Sequence, residues 1–107
     1  MFGFGSRKDI NAYVPQARMI EGAVLLDVRS ADEFARAHIA GTVNVPLPEL
    51  ARVREAIPDF NTPIFAFCLS GARSAQAVKE LESMGYLDVT NIGGMRFWTG
   101  PVVQGVE

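Results

Sequence analysis

A chain of 107 residues, 49% apolar and 21% charged, holds enough material for one hydrophobic core and too little for two, so it is read as a single domain over residues 1–107. Its net charge of −2, with ten Lys and Arg scattered along the chain, leaves no electrostatic footprint for nucleic acid, and no window approaches the ~18 consecutive apolar residues of a membrane-spanning helix. One cysteine excludes an internal disulfide and a Cys-x-x-Cys redox pair, and one histidine leaves no zinc cluster to propose.

Residues 1–8 read as an N-terminal tail without the ordered charge, apolar core and cleavage site of a signal peptide, and the protein is expected to be soluble and cytoplasmic. Ser6 and Asp9 stand near capping-box spacing before Ile10, Tyr13, Val14 and Ala17, an apolar stripe at helical period that Pro15 should shorten or break. Residues 24–28 form a mostly apolar run, the pattern of a strand covered on both faces. Ser30 with Glu33 makes a capping box that opens a short helix through Phe34 to about residue 37. Beyond Gly41, Val43-Asn44-Val45 is a brief strand stopped by Pro46 and Pro48. Residues 48–57 then read as a helix with Leu50, Val53 and Ile57 facing inward.

Ile64-Phe65-Ala66-Phe67, bounded by Pro63, is a short buried strand. From Ser74 to Met84 the apolar residues Ala77, Val78, Leu81 and Met84 recur at helical spacing, with Gly85 in the usual stop position. Val89 to Ile92 is the last clear strand, and Gly93-Gly94 reads as a turn towards Phe97 and Trp98, which should cover the core near the preceding loop. Strands alternating with helices predict an α/β fold: a central, mainly parallel sheet with helices on both faces.

Ligands of such sheets gather beyond the carboxyl ends of the strands, which is where Cys68 falls. The stretch Cys68-Leu69-Ser70-Gly71-Ala72-Arg73-Ser74 joins a strand end to a helix start, so free amides and the positive end of the helix dipole should favour a thiolate. Gly71 allows a backbone conformation that a side chain would forbid, and Arg73 adds a permanent positive charge. The guanidinium has two destinations open to it, an anionic substrate or an inward pairing with Glu33 or Asp27. Asp27, Arg29 and Glu33 are expected to cap and to pair behind the sheet rather than to serve as an acid–base set.

The segments Leu26-Asp27-Val28-Arg29, Glu33-Phe34, Ala37-His38-Ile39-Ala40-Gly41, Asn44-Val45-Pro46, Cys68 to Ser74, and Gly93-Gly94 with Trp98 resemble, in order and spacing, the rhodanese family of sulfurtransferases. The resemblance runs over about residues 24–103. It implies a rhodanese-like α/β fold with a central parallel sheet of four or five strands, and a catalytic cysteine that carries a persulfide sulfur from donor to acceptor. Cys68 matches that cysteine, and Leu69, Ser70, Gly71, Ala72 and Arg73 match the loop whose amides hold the sulfur. Asp27, Arg29, Glu33 and His38 then become structural support near the site. The implied donor is a small sulfur-containing anion such as thiosulfate, or a persulfide. The implied acceptor is cyanide or a thiol, with a partner protein in a sulfur relay as a further candidate. No metal or organic cofactor is implied, and neither nucleic acid nor membrane is expected as a partner.

Three departures from the family pattern stand out. Ala37 occupies a position where a glycine commonly precedes the histidine. No edge strand is legible in residues 1–6, which favours four strands over five. Leu69 and Ala72 leave the loop's outer side chains uncharged, so thiosulfate is expected to be a poor donor. Two alternatives remain: a non-enzymatic sulfur-carrier or protein-interaction module, and a phosphatase or arsenate reductase. The tyrosine and dual-specificity phosphatases are similar in setting cysteine and arginine around a loop, but with five residues between them. Here four intervene, and the shorter ring of amides suits one sulfur atom better than a tetrahedral phosphoryl group.

Overall fold

The computed structural model describes residues 9–106; the N-terminal tail, the Ser6 cap and any edge strand in residues 1–6 lie outside them. In chain order the elements are α1 (Ile10–Arg18), β1 (Val24–Asp27), α2 (Ala31–Arg36), β2 (Val43–Asn44), a 3-10 segment (Leu47–Arg52), α3 (Val53–Ala56), β3 (Ile64–Cys68), α4 (Ala72–Met84), β4 (Val89–Gly94) and a 3-10 turn (Met95–Phe97). Among the described residues the strands form one four-stranded sheet in the order β2-β1-β3-β4, every neighbouring pair parallel.

Side chains of a strand alternate between faces, and that alternation divides the core in two. Leu26 of β1 with Ile64, Ala66 and Cys68 of β3 belongs to a cluster that also holds Leu50, Val53, Ala77 and Leu81, beneath α4 and the 47–56 segment. Leu25, Phe65 and Phe67 join Ile92 and the α1 residues Ile10, Val14 and Ala17 on the opposite face. The sheet therefore carries helices on both faces, as its apolar runs predict. The parity of β3 also places Cys68 on the α4 side, under the start of the helix that follows it.

Local chemistry shapes three elements differently from the sequence reading. α1 runs unbroken through Pro15, with Asp9 as its N-cap accepting from the Asn11 amide. A mid-helix proline costs about 3 kcal/mol, whereas burying Ile10 and Val14 returns about 1.5–3 kcal/mol each, so packing on the sheet holds the helix together. Residues 48–57 are not one helix. Pro46 and Pro48 remove donors, the Glu49 amide closes a tight turn on the Pro46 carbonyl, and Glu49 leaves helical geometry (φ −114°, ψ 24°) before the single turn of α3 begins. Leu50, Val53 and Ile57 are nevertheless buried, as their spacing predicts.

Gly93-Gly94 is likewise no turn: both residues extend β4, with a shift of register between Ala66 and Cys68 that sets Gly94 opposite Cys68. Phe97, expected to cover the core, is 49% exposed and lies under the Arg96 guanidinium. Trp98 does pack on the α1-side cluster, its indole donating to the Pro101 carbonyl.

α4 is the element that sets the site. It starts at Gly71 (φ 106°) and ends at Gly85 (φ 111°), where the Gly85 amide donates to Glu82 and the Tyr86 amide to the Leu81 carbonyl, closing the last turn. Both glycines sit in the left-handed region, which bounds the helix sharply at each end.

Candidate active site

Cys68 is the last residue of β3 and is 1% exposed. The chain leaves it through Leu69 and Ser70, reverses at Gly71 and enters α4, so the amides of the reversal point back at the sulfur. The Gly71 amide donates to Cys68 Sγ at 3.0 Å, the Ser74 amide at 3.4 Å, and Ser74 Oγ stands 3.4 Å away. Burial pushes the Cys68 thiol up, but hydrogen bonds from the Ser74 hydroxyl and from the amides of Ser74, Gly71 and Ser70 outweigh it, and the net displacement is downward. The arrangement favours the thiolate form of Cys68.

The loop rests on β4. The Arg96 amide donates to the Leu69 carbonyl, and a Cβ on Gly94 would come within 2.3 Å of that oxygen. Leu69 turns an apolar side chain outward, 42% exposed. The bulge of β4 and its paired glycines thus let the strand approach the backbone of the loop.

Arg73 takes the inward course. Its guanidinium grips Glu33 of α2 with two hydrogen bonds, Nη1 to Oε1 at 2.7 Å and Nη2 to Oε2 at 3.0 Å. Glu33 also completes the capping box with Ser30. Hydrogen bonds from Arg73 are the largest cause that holds the Glu33 carboxyl down at about 2; burial opposes them and Ser30 assists. Asp27 has a different partner, Arg29, whose Nη2 lies 2.7 Å from Oδ2 and also donates to the Ala37 carbonyl at 2.8 Å. That pair is buried, with side-chain exposures of 5% and 0%. His38 is buried under the Phe34 ring, stacked at 3.7 Å, with Nδ1 2.9 Å from the Phe34 carbonyl and its backbone bridged to Val103.

The structure therefore gathers Cys68, its loop and Arg73 at one end of the sheet. Glu33 joins them through the ion pair, while Asp27, Arg29 and His38 brace the segment around α2. Two residues escaped the sequence reading. Ser74 counted only as the start of a helix, yet its buried hydroxyl approaches Cys68 Sγ and lies 2.8 Å from Asn91 Oδ1. Asn91 passed as a strand residue, yet its Oδ1 accepts from the Gly93 amide and its Nδ2 donates to the Gly71 carbonyl. The available signals were a hydroxyl in the first turn after the cysteine and a polar side chain in an otherwise apolar strand, since a polar group placed there needs partners. Among the described residues no cluster of three or more His, Cys, Asp and Glu is placed to hold a metal ion, and no helix is long and apolar enough to cross a membrane.

Residues 12–100 match the model of the rhodanese-like domain family. The chain is similar to the thiosulfate sulfurtransferase PspE of Escherichia coli, 37% identical over 75% of this chain and 78% of the relative. It is also similar to the thiosulfate sulfurtransferase GlpE of Pseudomonas fluorescens, 33% identical over 78% of this chain and 76% of the relative. A solved structure described as a rhodanese with anions from E. coli superposes with a TM-score of 0.72 at 36% identity, covering 78% of this chain and 99% of that one.

Proposed function

The chain belongs to the rhodanese-like domain family, and on that premise we propose that it is a sulfurtransferase whose moving sulfur rides on Cys68. The observation that carries the proposal is the convergence of the Gly71 amide, the Ser74 amide and the Ser74 hydroxyl on one sulfur atom. Hydrogen bonds to a charged partner contribute about 1.5–3 kcal/mol each, enough to sustain a buried thiolate and the anion that replaces it.

The Cys68 thiolate attacks the outer sulfur of a donor such as thiosulfate or a persulfide. A new S–S bond forms as the donor's own S–S bond breaks, and the bonding pair departs with sulfite or with a thiolate. The sulfur stays behind as a Cys68 persulfide anion. Cyanide or a thiol then attacks the terminal sulfur and leaves as thiocyanate or as a new persulfide, and the Cys68 thiolate returns. No electrons or protons are left unbalanced, so no cofactor is called for. Leu69, Ser70, Gly71 and Ala72 shape the ring of amides, and Arg73 with Glu33 fixes its exit into α4. Asp27, Arg29 and His38 support the floor.

The engagement of Arg73 bears on the donor. Its charge is already met by Glu33, and the rim residue Leu69 is apolar, so a donor of low charge such as a persulfide suits the mouth better than a dianion. The test is intact mass after incubation with thiosulfate or with a small persulfide. A gain of about 32 Da, one sulfur atom, is expected on the wild type, removed by cyanide and absent from Cys68→Ala. If no donor leaves that mass, the sulfurtransferase reading falls and a protein-interaction module takes its place.

A further inference from the structure

The Ser74 hydroxyl has one hydrogen and three acceptors in reach: Asn91 Oδ1 at 2.8 Å, the Gly71 carbonyl at 3.1 Å and Cys68 Sγ at 3.4 Å. Which acceptor receives it decides how many donors the sulfur has. The Gly71 carbonyl already takes the Ala75 amide at 3.0 Å and Asn91 Nδ2 at 3.3 Å, which fills its two lone pairs and turns the hydroxyl away. Asn91 Oδ1 is held in place by the Gly93 amide at 3.0 Å, a backbone donor that also settles which end of the side-chain amide is oxygen. That oxygen keeps a partner whether or not Ser74 donates to it.

We propose that Asn91 is a positioning residue for Cys68: its side-chain amide directs the single hydrogen of Ser74, towards Asn91 while the sulfur is a neutral thiol and towards Sγ once the sulfur is an anion. The hydroxyl keeps its proton throughout, and only its acceptor changes. Because the Gly93 amide continues to satisfy Asn91 Oδ1, the swing leaves no buried group unpaired. The same side chain anchors the carbonyl of Gly71, whose amide is the nearest donor to the sulfur. Asn91 thus governs the hydroxyl contact and the Gly71 contact without touching Cys68. The charged group whose field reaches the sulfur is Arg73 at the start of α4, whose guanidinium is itself paired with Glu33 of α2 and feels Asp27 of β1. None is altered by the substitutions below.

The inference rests on the sulfur-transfer reading only for the use made of the thiolate. Its test needs no sulfur donor, so the two fail separately. The pH dependence of Cys68 alkylation by iodoacetamide is measured for the wild type, Asn91→Ala, Ser74→Ala and the double variant. Without Asn91 the Gly71 carbonyl loses its Nδ2 anchor and is free to close on the Ser74 hydroxyl, drawing hydroxyl and loop together off the sulfur, so each single variant should raise the midpoint by about one pH unit, a tenfold loss of thiolate below it. The double variant should sit within about 0.3 unit of Asn91→Ala, since both changes remove the same hydroxyl contact. Asn91→Asp, close in shape, guards against misfolding of the alanine variant: its carboxylate should retain the hydroxyl, repel the anion and raise the midpoint further. An unchanged midpoint in Asn91→Asp, or additive shifts in the double variant, would overturn the proposal.

Discussion

Arg73 and Glu33 lie 40 residues apart in the chain and meet fork to fork, with hydrogen bonds of 2.7 and 3.0 Å. This contact ties the cysteine loop to the capping box of α2 and takes up the loop's cation. Arg73→Ala should therefore lower the melting temperature, with a loss of about 1–2 kcal/mol for a partly exposed bidentate pair. Activity per folded molecule with a persulfide donor should change little. Glu33→Gln frees the guanidinium and should raise the ratio of kcat/KM for thiosulfate over that for a persulfide. An activity collapse in Arg73→Ala at unchanged melting temperature would instead place the guanidinium on the donor.

The same pair makes stability depend on pH in a defined direction. Glu33 titrates at about 2 in the folded protein against an ordinary 4.5, so the folded state binds its proton less readily than the unfolded one. Its contribution is fully present above about 4.5 and is lost as the pH falls towards about 2. Partial exposure reduces that contribution to about 1–2 kcal/mol. Urea unfolding across this range should show the decline in the wild type and a shallower one in Glu33→Gln. Parallel curves for the two proteins would refute the assignment.

Gly94 of β4 leaves no room for a side chain beside the loop. A methyl group there would stand 2.3 Å from the Leu69 carbonyl oxygen and 2.8 Å from Ser70 Cα, both backbone atoms, so the loop itself must yield. Gly94→Ala should cost about 1–3 kcal/mol and carry the Cys68 midpoint up towards the ~8.5 of a free thiol as the amides swing off the sulfur. Gly41→Ala is the control: its φ of 82° brings backbone strain, but nothing lies within 4 Å. That variant should lose stability and keep the wild-type midpoint. Equal midpoints in both variants would dismiss the close approach as a determinant of the site.

Four residues between Cys68 and Arg73 leave too few amides to surround three equatorial oxygens, so aryl phosphates should not be hydrolysed. The assay is phosphate release by purified protein beside Cys68→Ser. Release by the wild type that disappears in the variant would contradict the argument from loop length.

What was legible from residues alone rested on short-range interactions. Ser30 and Glu33 are three positions apart and satisfy each other's backbone whatever surrounds them, so the start of α2 could be read directly. Short apolar runs located β1 and β3, helical spacing located α4, and the junction at Cys68 followed from their order. The 48–57 segment misled because its apolar spacing is helical while two prolines strip the donors a regular helix requires. Gly93-Gly94 misled for another reason: Gly94 answers to the Leu69 carbonyl and Gly93 lies against Gly71, both in the loop that follows a different strand.

The sequence by itself determined the place of Cys68 between a strand and a helix, the loop that follows it and the parallel α/β frame, since the elements are set by patterns within a few positions. Only the tertiary structure decided whether Arg73 faces substrate or Glu33, and that Ser74 and Asn91 share a hydrogen beside Cys68. A side chain with two candidate partners is assigned by whichever one folding brings within about 3 Å. Glu33 and Asn91, 40 and 17 residues away from their partners, come within that distance only when α2 and β4 are packed around β3.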